Sequence, residues 1–121
     1  MATAPVRLGV LGAASIARLF VEALRPSRKV VVTAVASRDR ARASAFAGDL
    51  GIGRTHDSYE SLLADPDIDA VYVPLPNNLH ARWAIRAAEA GKHVLCEKPL
   101  AANAAEARAI FDAGRRHGVQ V

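Results

Sequence analysis

Six short strand-like segments, all but one of them mainly apolar, alternate with segments of helical periodicity and constrain this chain more than any other feature. Val6–Leu11 (VRLGVL) is the first run, and it breaks at Gly12. Ala14–Leu24 follows, with Ile16, Leu19, Phe20, Ala23 and Leu24 at the three- and four-residue intervals of one helix face. Val30–Ala36 (VVVTAVA) is nearly all apolar and β-branched, the pattern of a parallel strand covered on both faces. Asp39–Leu50 predicts a second helix with Ala43, Phe46, Ala47 and Leu50 facing the core, ended at Gly51 and Gly53. Arg54–His56 reads as a third strand, and Ser58 as the cap of a helix over Tyr59–Ala64. Asp69–Val73 is a fourth strand, stopped by Pro74 and Pro76. Asn77 or Asn78 then caps a helix over Leu79–Ala90, and Gly91 ends it. Lys92–Cys96 is the fifth strand. Asn103 caps a helix over Ala104–Arg116, and Val119–Val121 opens a sixth strand. Such alternation with short connections requires right-handed crossovers, and so predicts an α/β fold with a doubly wound parallel sheet.

Composition sets the outer limits. The 121 residues, 51% hydrophobic, suffice for one cored domain over residues 1–121, too few for two and too apolar for a disordered chain. A three-residue final run suggests a fragment of a longer protein. No apolar run approaches the ~18 residues of a membrane span, and no secretory signal is readable, so a cytoplasmic protein away from membranes is expected. The single cysteine, Cys96, forms neither an internal disulfide nor a cysteine-based zinc site. Cys96 reads as a small buried hydrophobe and His93, inside a strand, as a packed core residue. His56 and His117 lack ligand spacing, so no metal is expected. The net charge of +4 is carried by arginines scattered among Asp and Glu, with no basic run longer than Arg115–Arg116. That pattern fits solvated helix faces and one anion site, not nucleic acid.

The anion site falls where the first strand meets the first helix. Gly12-Ala13-Ala14-Ser15-Ile16-Ala17 occupies the position of a G-x-G-x-x-G turn, with alanine at the second and third glycine sites. Gly12 permits the tight turn, Ala14 lets backbone approach a pyrophosphate, and Ala17 allows helix to pack on strand. The amides at the helix start then favour negative charge. At the end of the second strand, NAD-binding domains carry a carboxylate for the ribose hydroxyl. Here stand Ser37 and Arg38, a hydroxyl donor and a guanidinium fork suited to a phosphate, with Asp39 placed to cap the next helix and Arg42 a turn beyond. This favours NADP(H) over NAD(H). Two further segments lie at strand ends: Pro74-Leu75-Pro76-Asn77-Asn78-Leu79-His80, and Glu97-Lys98-Pro99. A Lys and a Glu at a buried strand end are costly unless paired or used, and such a lysine can exchange a proton with a substrate oxygen. A plain surface ion pair is the alternative.

Gly9–Ala17, Ala36–Asp39, Asp69–His80 and above all Ala90-Gly-Lys-His-Val-Leu-Cys-Glu-Lys-Pro99 resemble the Gfo/Idh/MocA oxidoreductases, over essentially the whole chain. The resemblance implies a Rossmann fold followed by a larger α+β domain that holds much of the substrate and the oligomer interface, so a homo-oligomer is expected. It implies a nicotinamide cofactor held by Gly12, Ala14, Ser15 and Ile16 at the pyrophosphate and by Ser37 and Arg38 at the adenosine phosphate. Pro74, Leu75, Asn78 and His80 would line the path to the nicotinamide. Glu97 and Lys98 would flank nicotinamide and substrate, with Lys98 as proton donor or acceptor and a bond before Pro99 that is often cis. Tyr-Val-Pro-Leu-Pro and Ala-Ser-Arg resemble the NADP-using members, which act on sugars, polyols or nucleotide-linked keto-sugars. A stand-alone nucleotide-binding or regulatory module without chemistry is the alternative function.

Overall fold

The computed structural model describes residues 3–121, in which strand and helix alternate. Strands β1 (Val6–Leu11), β2 (Val30–Ala36), β3 (Arg54–His56), β4 (Ala70–Val73) and β5 (His93–Cys96) form one sheet in the order β3-β2-β1-β4-β5. Every pairing is parallel. The chain therefore winds outward through β1, β2 and β3, returns to the middle at β4, and winds out the other way. The reversal leaves a crevice beyond the carboxyl ends of β1 and β4, where open parallel sheets bind ligands.

Helices α1 (Ser15–Leu24) and α2 (Arg40–Leu50) cover one face, and α3 (Tyr59–Leu63), α4 (His80–Glu89) and α5 (Ala104–His117) cover the other. Beneath α1 and α2 lie Val10, Val35 and Tyr72, packed with Ala17, Val21, Phe46 and Leu50. Beneath the other layer lie Leu11, Val71 and Val73, packed with Leu62, Trp83, Ala84 and Ile110. Residues alternate between the two layers along each strand, as a period of two requires. The central strands are buried on both faces, which explains their unbroken apolar sequence. Gly9 in β1 is set by close approach: a Cβ there would lie 2.8 Å from Leu62 Cδ2.

Local signals fix the helix ends. Asp39, Ser58 and Asn103 each accept a hydrogen bond from a backbone N–H three residues on, in Arg42, Ser61 and Glu106. Gly51 and Gly118 end α2 and α5 in the left-handed conformation.

Four expectations need correction. On α1, Ala17 and Val21 are the buried positions, whereas Ile16, Leu19 and Ala23 face outward; the small Ala17 lets the helix sit close to the sheet, and that rotates the bulkier positions away. Neither Asn77 nor Asn78 caps α4; a short 3-10 turn over Asn77–Leu79 leads into it, with no side-chain cap. His93 is exposed, and its Nδ1 accepts a hydrogen bond from the Gln120 backbone at 3.0 Å. Residues 119–121 form no strand among the described residues, though Val94 N–H donates to the Gln120 carbonyl at 2.9 Å.

Candidate cofactor site

The crevice is an open groove lined by the glycine turn (Gly12, Ala13, Ala14), the end of β2 (Ser37, Arg38, Asp39, with Arg42) and the loop after β4 (Pro74, Leu75, Pro76). Gly12 has φ +113°, and a Cβ there would lie 3.1 Å from Leu75 Cδ2. A side chain at this position would therefore be strained, and would fill the angle between turn and loop. Ala14 precedes α1 in extended conformation, with no side-chain cap and no acidic residue in the first turn. The leading N–H groups of α1 are thus left for an outside acceptor, at the positive end of a ten-residue helix. These features fit a pyrophosphate. Ser15 and Ile16 are exposed at that helix start.

At the other end of the groove Ser37 is buried, and its Oγ accepts from Asp39 N–H at 3.2 Å, leaving its own proton to donate. Arg38 is exposed and forms no ion pair among the described residues. The Asp39 carboxylate is occupied by Arg42 N–H at 3.1 Å, which caps α2. The positive group here is therefore free and the nearest carboxylate is engaged.

Beyond β4 and β5 the arrangement is different. Pro74 and Leu75 are buried in the wall, Asn78 is exposed, and Glu97 is half-buried. Tyr72, in β4, donates its hydroxyl proton to Glu97 Oε2 at 2.5 Å, and its ring stacks on Phe20 with centroids 4.0 Å apart. Burial first, and then this carboxylate, push the Tyr72 phenol well above its ordinary range. The Tyr72 hydrogen bond holds Glu97 below the usual carboxylate range. Glu97 Oε1 accepts from the Lys98 backbone N–H at 3.3 Å. Lys98 itself is exposed, and its ammonium makes no ion pair among the described residues. The alternative reading of Glu97 and Lys98 as an ion pair is thus not met: Glu97 bonds to Tyr72 instead, and Lys98 is exposed. The Lys98–Pro99 bond is cis.

His80 does not line the groove. Its ring is wholly buried, Nδ1 lies 2.7 Å from the Pro99 carbonyl and Nε2 2.6 Å from the Leu75 carbonyl. Both nitrogens face inward to backbone, so the ring stands behind the two loops. Cys96 is half-buried, and burial pushes its thiol up to about 11, with the Glu97 charge adding to the effect. The Tyr72–Glu97 and His80–Pro99 bonds escape sequence reasoning because each joins residues distant along the chain. The one available signal was a tyrosine inside an otherwise aliphatic strand, whose hydroxyl needs a partner when buried.

A parallel sheet reversing between β1 and β4, a glycine turn opening α1, and a free arginine at the end of β2 define a dinucleotide-binding Rossmann domain. Residues 6–121 match the oxidoreductase family described by its NAD-binding Rossmann fold, and the chain belongs to this Gfo/Idh/MocA family. The chain is similar to D-xylose 1-dehydrogenase (NADP(+)) 2 of Haloferax volcanii, 54% identical over 86% of this chain and 32% of the relative. It also resembles dTDP-3,4-didehydro-2,6-dideoxy-alpha-D-glucose 3-reductase of Actinomadura kijaniata, 47% identical over 95% of this chain and 35% of that one. A solved 3-ketoreductase from the same organism, in complex with NADP and TDP-benzene, superimposes with a TM-score of 0.91 at 46% identity, over 95% of this chain and 35% of that chain. The chain thus spans about a third of the length of the relatives it matches. Among the described residues no helix is long and apolar enough to cross a membrane, and no cluster of His, Cys, Asp and Glu could hold a metal.

Proposed function

We propose that residues 1–121 are the cofactor domain of an NADP(H)-dependent oxidoreductase acting on a sugar, a polyol or a nucleotide-linked keto-sugar. The observation that carries the cofactor choice is the unpaired Arg38 beside the Ser37 hydroxyl, with Asp39 turned away to cap α2. A 2′-phosphate carries nearly two negative charges near neutral pH, and a guanidinium meets it with two parallel hydrogen bonds. Gly12, Ala14, Ser15 and Ile16 hold the pyrophosphate, Pro74, Leu75 and Asn78 border the path to the nicotinamide, and Glu97 and Lys98 flank the nicotinamide and the substrate. When bound, the cofactor supplies or accepts hydride at a substrate carbon. Lys98, solvated and free of a carboxylate partner, exchanges the proton at the substrate oxygen. Relatives named for NADP-dependent oxidation of D-xylose and for reduction of a nucleotide-linked sugar support the substrate class. A second, α+β domain completes the substrate site and forms the contacts of a homo-oligomer.

The test is calorimetric titration of NADPH and NADH into the protein, followed by turnover of the full-length protein with a panel of aldoses, polyols and nucleotide-linked keto-sugars. NADPH binds roughly ten- to a hundred-fold more tightly, the equivalent of one charge-assisted bidentate contact of about 1.5–3 kcal/mol. Added salt shrinks the difference. Ser37→Asp with Arg38→Ala reverses it. Equal binding of both cofactors refutes the phosphate site. Cofactor binding with no turnover of any sugar supports a binding module instead.

A further inference from the structure

Lys98 sits between two residues that are each tied down from another part of the fold. On its amino side Glu97 is held by the Tyr72 hydroxyl from β4. On its carboxyl side the Pro99 carbonyl is held by His80 Nδ1 from the start of α4. The same imidazole reaches, with Nε2, the carbonyl of Leu75 in the wall of the cofactor groove. Leu75 in turn packs against the turn at Gly12. One buried ring therefore joins the loop that carries Lys98 to the loop that borders the cofactor.

Resting on the reading of Lys98 as the proton-transferring group, we propose that His80 is its positioning residue. The ring spans Leu75 and Pro99, and so sets the distance between the groove wall and the lysine. Carbonyl oxygens only accept, so closing both bonds uses a proton on each ring nitrogen. Few other side chains can do this. A Gln or Asn amide places both its hydrogens on one nitrogen, and a hydrophobic residue offers none. The charged groups nearby are Glu97, whose carboxylate is already bonded to Tyr72 and to the Lys98 backbone, and Lys98 itself. A buried donor bridging two loops matters beyond stability, because misplacing a catalytic group by about 1 Å can cost about a hundred-fold in rate.

The test compares His80→Leu, His80→Gln, Lys98→Ala and the double variant His80→Leu/Lys98→Ala in the full-length protein. It follows single-turnover hydride transfer between NADP(H) and the sugar turned over fastest in the panel above. His80→Leu is expected to slow hydride transfer about ten- to a hundred-fold, with NADPH affinity little changed, and His80→Gln by less. The double variant should be no slower than Lys98→Ala, since a residue that acts through another adds nothing once that one is gone. If Lys98→Ala is slow but His80→Leu is normal, or if the two losses multiply, the positioning role is overturned and the lysine reading survives. If Lys98→Ala keeps full rate, the lysine reading fails and this proposal fails with it. Imidazole NMR of the unsubstituted protein gives an answer that needs no folded variant. Two slowly exchanging ring N–H protons support the bridge, and a ring with a single rapidly exchanging one refutes it.

Discussion

Single residues in this domain are chosen for what a side chain would obstruct as much as for what it would supply. Gly12 combines φ +113° with a Cβ position 3.1 Å from Leu75 Cδ2. Gly12→Val is therefore expected to destabilise the fold by about 1–3 kcal/mol through backbone strain, and to abolish cofactor binding that Gly12→Ala only weakens. Urea unfolding alongside NADPH titration separates the two effects. Cys96 makes the opposite case, a reactive type in an inert setting. With its thiol pushed up to about 11, it is protonated at neutral pH, and only the thiolate attacks. Alkylation by iodoacetamide should be slow at pH 7 and should keep accelerating past the ordinary cysteine value of about 8.5. A rate that levels off below pH 9 would contradict the burial. Residues with local roles, such as Gly12, Ser37 and the Glu97-Lys98-Pro99 run, were legible because turn geometry and charge are written in consecutive letters. Tyr72 and His80 were not legible as holders of Glu97 and Pro99, since partners 25 and 19 residues away are settled only by how β4 and α4 pack.

At the scale of elements, strands were read well and helix faces less well. The bounds of β1 follow from an apolar run cut at Gly12, those of β2 from a largely β-branched run between Lys29 and Ser37, and those of β3 from the short stretch between Gly53 and Asp57. The face of α1 did not follow, because periodicity marks where large apolar residues lie and cannot tell that the sheet takes the alanine side. The amino ends of β1 and β4 are joined by Asp69, whose Oδ2 accepts from Arg7 N–H at 2.8 Å and from Arg7 Nε at 3.1 Å, while Oδ1 accepts from the other guanidinium nitrogen at 2.9 Å. The guanidinium bond first, and then the backbone N–H, bring Asp69 down to about 2. A carboxyl depressed from its ordinary ~3.9 stabilises the fold above that value, and loses its contribution as pH falls toward about 2. The Asp69 side chain is 37% exposed, so solvent screening holds the contribution to about 1 kcal/mol or less. Asp69→Asn should lower the urea midpoint at pH 7. The gap between variant and parent should close between about pH 4 and pH 2. A gap that persists at pH 2 would place the stabilisation elsewhere.

For the whole molecule, the groove between the glycine turn, the end of β2 and the loop after β4 lies within these residues, and under the proposed function Glu97 and Lys98 are the groups they bring to the substrate. The isolated 121-residue chain should bind NADPH yet transfer no hydride to any sugar; steady turnover by it would show that the active site is already complete. In the full-length protein Lys98→Ala should lower kcat about 10²–10⁴-fold, the size of a general acid–base contribution, and leave NADPH affinity nearly unchanged. Equal kcat values for the two forms would return Lys98 to the role of a solvated loop residue.

The two borders of the sheet differ in what they permit. β3 is three residues long and begins at Arg54, whose guanidinium is engaged by Asp65 at 2.8 Å and Asp67 at 3.3 Å. So short and charged a border offers no template for another strand. Beyond β5, Val94 N–H donates to the Gln120 carbonyl, and Leu95 stands half exposed beside it. The sheet is consequently a one-way structure. It is closed to growth beyond β3 and open to extension beyond β5, so any strand that joins it arrives on the same flank as Lys98.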